Sequence, residues 1–334
     1  MELKHSVSFM IGNMGYLIKI FLWMLICLLV IGALAAAIYI PAGNALENKA
    51  DILQEVDHIK ATFESYLQDE ISLLEFVKGV EDDPNDGGIQ QHIVNGIKAL
   101  LSNVGAMAGF VIAAIFLYCL YLYLTGVSHY TIGYIINELM TSNTKYGFTP
   151  ALLKNFKTAS KFALCKMLIT CPLDLAIITV ICATGFGLVQ LIGFPALAVA
   201  LILGVCLFSL RAMLFAGWIP RMLFNPDERP FSALARSISS VRQNFGGFFK
   251  SFTSIFFTAY ACVAVLSVPT FGVVNLLVPS TYFFVLRAVE LIGYYKLNGM
   301  SFYVDPRTVV NSIEYGYRKE NQTETIDEYN DINY

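Results

Sequence analysis

The chain carries little charge for its length of 334 residues. Charged side chains make up 14% of the sequence and hydrophobic ones 56%, and the mean hydropathy is +0.61. Soluble globular domains carry about 25% charged residues. This shortage of charge excludes a soluble globular protein and indicates a chain that lies largely within a lipid bilayer.

The residue sets that most enzymes need are also missing. Neither a GxGxxG nor a GxxxxGK[ST] phosphate-binding loop occurs. The acidic run at 81–88 only partly resembles a calcium loop, because a proline interrupts it and no glutamate closes it. The histidines have no metal-ligand spacing; they are His5, His58, His92 and His129. We therefore expect no catalytic residues, no cofactor and no metal, and a protein that is not an enzyme.

Cysteine is absent from the hydrophilic segment 41–101. The seven cysteines lie in or at the edge of apolar stretches, and no pair has CxxC spacing; they are Cys27, Cys119, Cys165, Cys171, Cys182, Cys206 and Cys262. This distribution argues against a disulfide framework. It predicts free thiols that are buried as small hydrophobic side chains.

Six long apolar stretches dominate what is present. At a rise of 1.5 Å per residue, each can cross a hydrocarbon core about 30 Å thick. They lie at 17–40, 102–125, 166–190, 194–219, 252–277 and 279–297. We interpret the first as an uncleaved signal anchor, although small residues near 42–45 leave cleavage possible. The expected fold class is therefore all-α, a polytopic membrane protein with six transmembrane helices.

The distribution of charge between the stretches predicts their orientation. Segment 41–99 has 12 acidic and 4 basic residues, whereas 129–166 has 5 lysines and one glutamate, and 218–250 has 5 basic and 2 acidic residues. Positive charge favours the cytoplasmic side. We expect cytoplasmic N- and C-termini, an extracytoplasmic segment at 41–101, and residence in the cell membrane.

An internal repeat precedes several of the stretches. NMGYLIK (13–19) and NFGGFFK (244–250) share Asn, Gly and Lys at the same places, and PALLKNFKTASK (150–161) runs parallel to SALARSISSVRQ (232–243). The last copy has apolar residues at helical spacing, namely Phe231, Leu234, Ile238, Val241 and Phe245. Such a segment predicts an interfacial amphipathic helix, with a cytoplasmic loop or an extended helix start as the alternative.

The second halves of two hairpins repeat as well. LRAMLFAGW (210–218) matches LRAVELIGY (286–294), so that Arg211 corresponds to Arg287 and Gly217 to Gly293. We infer three repeats, each made of an interfacial helix and a transmembrane hairpin. The expected parts are 1–40 (interfacial helix and first span), 41–101 (acidic helical hairpin), 102–128 (second span), 129–228 (second repeat), 229–304 (third repeat) and 305–334 (cytoplasmic tail, largely disordered).

Segment 41–101 has the pattern of a helical hairpin. Apolar residues alternate spacings of three and four, as in a coiled coil, at Ile52, Val56, Ile59, Phe63, Tyr66, Leu73 and Val77. The run 81–88 has the composition of a turn before a second helix. The apolar stripe is expected to pack on that return helix or, alternatively, on a second copy or a partner protein that binds through 45–80.

Four ionisable residues inside the apolar stretches are the clearest candidate site. They are Asp174, Arg211, Arg287 and Glu290. If the second hairpin turns at 193–194, the depths of Asp174 and Arg211 differ by only about 3 Å, so the two side chains can pair. Glu290 follows Arg287 by about one helical turn and can pair with it along the same helix. These pairs either fix the helix register or line a polar site for an anion.

Basic residues near the ends of the spans are candidates for contacts with lipid headgroups. They are Lys19, Lys154, Lys161, Arg236, Arg242 and Lys250. The expected partners are therefore membrane lipids, with an extracytoplasmic or membrane protein, or a second copy of the chain, as further candidates. Nothing in the sequence indicates a nucleic-acid partner.

The segment RPFSALARSISSVRQNFGGFFKSF (229–252) resembles the polytopic membrane domains attached to some bacterial glycerophosphodiester phosphodiesterases and related stand-alone membrane proteins. The resemblance lies in an Ala-Leu-x-x-Ser basic helix followed by Asn-Phe and an aromatic run. It implies an all-α membrane domain. No catalytic phosphodiesterase domain is present here, so the resemblance implies no enzymatic activity.

These features support two hypotheses about function. The first is a non-enzymatic accessory or scaffold component of a cell-envelope or membrane complex, which contacts lipid and partner proteins. The alternative is a transporter or lipid-handling permease for an anionic substrate, which uses the intramembrane pairs of arginine and acid.

Overall fold

The computed structural model describes residues 2–44, 49–68, 92–96, 98, 104–192, 195–267, 270, 274–305 and 308–310. Several expectations lie outside these residues. They are the turn at 81–88, the apolar positions Leu73 and Val77, the hairpin turn at 193–194 and the tail from 311 to 334.

Nearly all of the described residues form α-helices. In chain order these are α1 (Glu2–Gly12), α2 (Met14–Asn44), α3 (Lys49–Leu67), α4 (Val104–Ser142), α5 (Phe148–Ile192), α6 (Pro195–Phe215), α7 (Trp218–Phe224), α8 (Pro230–Gln243), α9 (Phe245–Leu266) and α10 (Val274–Leu297). A short helical segment also lies at 92–96. Strands β1 (Phe302–Asp305) and β2 (Thr308–Val310) form an antiparallel pair.

Six of the helices are long and apolar enough to cross a membrane. The candidate spans are Met14–Ala42, Ala108–Ser142, Phe148–Leu188, Ala198–Phe224, Phe245–Leu266 and Leu277–Leu297. The expected all-α polytopic class is therefore confirmed, and the chain is a multi-pass membrane protein. The third span begins 18 residues before the expected start at 166, since the basic segment that precedes it is part of the same helix.

The chain divides into two compact units. The larger comprises 1–28 and 121–334 and the smaller 29–120. In the larger unit, α6 packs against α5 and α9, α10 packs against α1 and α9, and α8 packs against α6 and α7. In the smaller unit, α2 and α4 meet where the rings of Tyr39 and Phe110 stack at 5.5 Å between centroids.

In two of the three repeated segments, a break separates the first helix from the transmembrane helix that follows it. α1 is separated from α2 at Asn13, and α8 from α9 at Asn244. Asn13 donates its side-chain amide to the carbonyl of Phe9, 2.9 Å away, and so competes with the helical hydrogen bonds.

The middle repeated segment has no such break, because α5 runs continuously from Phe148 to Ile192. The positions that align with Asn244 and Gly246 are Phe162 and Leu164, which continue a helix readily. The separate interfacial helix expected at 150–161 is therefore not a separate element. The threefold repeat stays a prediction.

Glycines mark close approaches between helices in the larger unit. A Cβ atom on Gly126 would lie 2.9 Å from Cβ of Ala163, and one on Gly217 would lie 3.0 Å from Cβ of Ser237. A Cβ atom on Gly293, the partner of Gly217 in the sequence repeat, would meet the ring of Phe248 at 2.4 Å. Only glycine fits these three contacts without a shift of the helices.

The strand pair is a feature that the sequence analysis did not predict. Phe302, Val304 and Val310 are buried, whereas Thr308 and Val309 are exposed. This alternation is typical of a half-buried strand, and β1 packs on α1. The expected tail at 305–334 therefore begins with ordered structure.

Candidate functional site

Arg211 of α6 and Asp174 of α5 form the ion pair that the hairpin geometry predicts. One guanidinium nitrogen, Nη1, donates to Oδ1 of the carboxylate. The Asp174 side chain is 1% exposed, whereas the Arg211 side chain is 23% exposed. The guanidinium also lies 5.6 Å from the ring centroid of Phe208. The carboxylate is thus held inside the protein, and the cation reaches partly toward its surface.

The predicted pair on α10 is also present. Nη1 of Arg287 lies 2.5 Å from Oε2 of Glu290, three residues along the helix. Both side chains are buried. The contact is ionic rather than a well-directed hydrogen bond, since neither Glu290 oxygen has hydrogen-bond geometry to a described partner. The pair therefore leaves hydrogen-bonding capacity unused on both residues.

Lys166 is a fifth charged residue at this place. It lies on α5 with Thr170 and Asp174 at spacings of four residues, so that the three share one helix face. All three side chains are buried. Lys166 interacts electrostatically with Asp174, Arg211, Arg287 and Glu290. We call these five charged residues, Lys166, Asp174, Arg211, Arg287 and Glu290, the intramembrane polar cluster.

His129 of α4 adjoins the polar cluster. The ammonium of Lys166 contacts its Nδ1 at 2.5 Å, and the ring centroid of Phe283 lies 4.4 Å from that of the imidazole. The histidine also interacts electrostatically with Arg287 and Arg211. Helices α4, α5, α6 and α10 therefore all bring ionisable side chains to one region.

Several buried polar atoms in this region have no hydrogen-bond partner among the described residues. They are Nε2 of His129, Oγ1 of Thr170, Nε of Arg287 and Oε1 of Glu290. Buried polar groups are almost always hydrogen-bonded, so each exception calls for an explanation. Four exceptions around one charged cluster indicate a place suited to a polar ligand.

Four residues of this region were predicted from the sequence, namely Asp174, Arg211, Arg287 and Glu290. Lys166 and His129 were not. Lys166 was placed at the membrane edge, because the third apolar stretch was taken to begin there. His129 was likewise placed outside a span that in fact extends to Ser142. The four-residue spacing of Lys166, Thr170 and Asp174 was the signal that could have revealed a polar helix face.

All six candidate headgroup residues are exposed: Lys19, Lys154, Lys161, Arg236, Arg242 and Lys250. Three of them are also engaged within the protein, among them Lys19, whose ammonium lies 5.3 Å from the ring centroid of Tyr16. Lys154 donates to the hydroxyl of Tyr134 at 2.8 Å, and Arg236 lies 3.2 Å from Oε1 of Glu228. Their contact with lipid stays a prediction.

The apolar stripe predicted on α8 is partly buried in the protein and partly exposed. Leu234 and Val241 are buried in the protein, whereas Phe231 is 53% exposed and Ile238 is 40% exposed. Phe245, at the start of α9, continues the exposed row at the same spacing of seven residues. An exposed apolar row beside the exposed Arg242 suits a helix at the edge of a bilayer.

In the smaller unit, the return segment contacts α3 beside its predicted apolar stripe. Nδ1 of His92 lies 2.7 Å from Oε2 of Glu55, and its ring stacks on that of His58 at 4.8 Å. Val56 and Phe63 of the stripe remain about half exposed. Within the described ranges, no group of three or more candidate ligands could hold a metal ion.

All seven cysteines are free thiols. Cys27 is buried, Cys182 is exposed, and the others are intermediate. The prediction that all of them are buried was wrong, because several lie on helix faces that turn away from neighbouring helices.

The larger unit contains a cavity of about 150 Å³ among α2, α4 and α10. Its wall is mostly apolar and includes Met24, Cys27 and Phe283, with Thr125, Ser128 and His129 as polar members. A wider groove of about 350 Å³ lies among α1, α9 and α10 and is lined by Val7, Thr258 and Tyr282, among others. The first cavity is the one that touches a residue of the charged region.

The chain matches no family model, and no curated protein or solved structure is significantly similar to it. The polar cluster and the cavity are therefore interpreted from their own chemistry.

Proposed function

We propose that the protein is a non-enzymatic membrane permease or lipid-handling protein that binds an anionic group at the intramembrane polar cluster. The observation that carries this proposal is the pair of unpartnered buried donors beside the cluster, the Nε–H of Arg287 and the hydroxyl of Thr170, which can both donate to an anion. An ion-pair network that served only to hold helices together would be expected to satisfy its own hydrogen bonds.

The charges of the cluster favour an anion. Lys166, Arg211 and Arg287 are formally cationic, whereas Asp174 and Glu290 are anionic. Three positive and two negative charges leave a formal charge of +1 within the cluster. An uncompensated charge inside a membrane is costly. A bound carboxylate or phosphate oxygen would neutralise the cluster.

The three cationic residues of the cluster have different contacts, so we expect them to have different roles. Arg211 is held by Asp174, so its role is to set the position of α6 relative to α5. Lys166 interacts electrostatically with both pairs, and Arg287 has an unused Nε–H donor. Lys166, Arg287 and Thr170 are therefore the groups that we expect to contact the ligand.

Thermal unfolding in nanodiscs of zwitterionic lipid tests this proposal. Millimolar inorganic phosphate or butyrate should raise the unfolding temperature of the wild-type protein, because a ligand that binds only the folded state stabilises it. In a second arm, phosphatidylglycerol replaces part of the lipid, which distinguishes a lipid headgroup from a free anion.

Lys166→Met should abolish the anion-dependent shift, and Lys166→Arg should keep part of it. Lys157→Met is the matched control, since Lys157 is exposed on the same helix and is not a candidate headgroup contact, and it should respond as the wild type does. A shift that is equal in Lys166→Met and the wild type, or no shift with phosphate, butyrate or phosphatidylglycerol, would refute the proposal.

A scaffold or accessory role is the second candidate, and the exposed apolar residues of α3 favour it. Val56 and Phe63 lie on one helix face and are about half exposed. Such a row suits a second copy or a helical partner protein. Purification in mild detergent should then recover a stable complex that Phe63→Lys disrupts. A monomer with no co-purified protein would count against this role.

A further inference from the structure

The cavity among α2, α4 and α10 leads from the outside of the larger unit to His129. Leu28 and Tyr121 line it and are exposed, whereas Ser128 and His129 line it and are buried. A path therefore runs between α2, which carries Leu28, and α4, which carries Tyr121. It leads from a lipid-accessible rim to the neighbourhood of the polar cluster.

The tautomer of His129 depends on the charge of Lys166, and we take Lys166 as an ammonium. An ammonium group has donors only, so Nδ1 of the imidazole accepts from Lys166. The proton of the neutral ring then lies on Nε2, which points away from Lys166. Nε2–H is a buried donor without a partner among the described residues. The hydroxyls of Thr125 and Ser128 differ, since they donate to carbonyls one turn earlier in α4. Asn275, which also lines the cavity, accepts from the hydroxyl of Ser267 at 2.8 Å.

The cavity can hold only one end of a lipid. Its volume of about 150 Å³ equals that of a cavity that accommodates a single benzene molecule. That space fits a small headgroup and a few methylene groups, and the rest of a chain must leave past Leu28 and Tyr121. A second acyl chain would have to fit the same narrow space.

We propose that this cavity binds a single-chain amphiphile with an anionic headgroup, whose oxygen accepts a hydrogen bond from Nε2–H of His129. The apolar wall packs on the first methylene groups, and Lys166 and Arg287 near His129 supply the attraction for negative charge. The sign of the headgroup charge rests on the proposed function, while the location rests on the cavity and on the unpartnered donor.

Photolabelling tests the site in the whole protein. Palmitic acid with a mid-chain diazirine is bound to protein in nanodiscs and irradiated, and the adducts are mapped by mass spectrometry. We expect adducts near the rim, on peptides that contain Leu28 and Tyr121. Unlabelled palmitate should displace them strongly, hexadecanol weakly, and hexadecyltrimethylammonium, which lacks an acceptor, hardly at all.

Two substitutions probe the wall and the donor. Cys27→Phe fills the cavity and should abolish rim labelling, whereas Cys182→Phe, on an exposed residue of α5, should leave it unchanged. His129→Phe should weaken labelling by about tenfold, the usual effect of losing one hydrogen bond, and His129→Gln, which retains a donor, should restore part of it.

If His129→Phe does not fold, rim labelling of Cys27→Phe and displacement of the label by the three amphiphiles still test the proposed site. Equal displacement by all three amphiphiles, or rim labelling that survives Cys27→Phe, would overturn the inference. Loss of rim labelling with an intact Lys166-dependent anion response would refute this site alone. Rim labelling without any such response would refute the proposed function instead.

Discussion

At the scale of single residues, the central question is how three membrane spans tolerate five charges. Asp174 and Glu290 are each 1% exposed, so neither carboxylate reaches water or headgroups by itself. Each is instead neutralised by an arginine within the protein. Lys166 is different, because it adds a charge to the two pairs and contacts a histidine.

The pair of Asp174 and Arg211 permits a direct test of a structural role. Asp174→Leu alone should lower the free energy of unfolding by about 3 kcal/mol, because it leaves the cation without its partner. Replacing both residues, as Asp174→Leu with Arg211→Met, should recover most of that loss, since apolar residues of similar size often replace a buried ion pair without penalty. Unfolding of detergent-solubilised protein measures both. A double variant that is less stable than Asp174→Leu would contradict a purely pairwise role.

The pairing of Asp174 with Arg211 was predictable because a helical hairpin converts residue counts into depth at a constant rise. Lys166 and His129 were not found this way. A hydropathy pattern ends a span at the first charged residue, whereas the real helices continue through these residues because neighbouring helices supply partners. Sequence reasoning therefore failed where tertiary contacts, rather than lipid, surround a polar side chain.

At the scale of elements, asparagine and glycine decide where helices break and where they touch. The breaks at Asn13 and Asn244 separate α1 from α2 and α8 from α9. The matching segment of α5 has Phe162 and Leu164 at the aligned positions and remains one helix. An Asn-x-Gly sequence is a poor helix former, which accounts for the two breaks, and the threefold repeat itself stays a prediction.

Close contact between α4 and α5 predicts a marked effect of a single methyl group. Gly126→Ala would place Cβ 2.9 Å from Cβ and 3.0 Å from Cα of Ala163, so the helices must move apart. The expected loss of stability is about 1–3 kcal/mol, the usual cost of overpacking. Gly187→Ala is the matched control, since a Cβ there meets nothing within 4 Å. It should be neutral or stabilising because alanine favours a helix. Equal thermal stability of the two variants would argue against the close contact.

At the scale of the whole molecule, the asymmetry of charge predicts which side each loop occupies. The acidic segment 41–101 contains the exposed Lys60, and the basic segment around α8 contains the exposed Ser239. By the rule that positive loops stay inside, the first is predicted to be extracytoplasmic and the second cytoplasmic.

Labelling with a membrane-impermeant thiol reagent checks this orientation. A cysteine at Lys60 should react in intact cells, and a cysteine at Ser239 should react only after the membrane is opened. The native cysteines provide the background, which the unsubstituted protein measures. The reverse pattern of reactivity would show that the orientation is opposite to the predicted one, and it would leave the helical fold unaffected.

The ion pair between α5 and α6 also constrains how the chain is made. A helix that carries Lys166 and Asp174 enters a bilayer poorly alone, since each ionised residue near the helix centre costs a few kcal/mol during insertion. Arg211 is synthesised 37 residues after Asp174, so α5 is complete before the partner of Asp174 exists. We therefore expect α5 and α6 to enter the lipid together, with Asp174 already paired with Arg211.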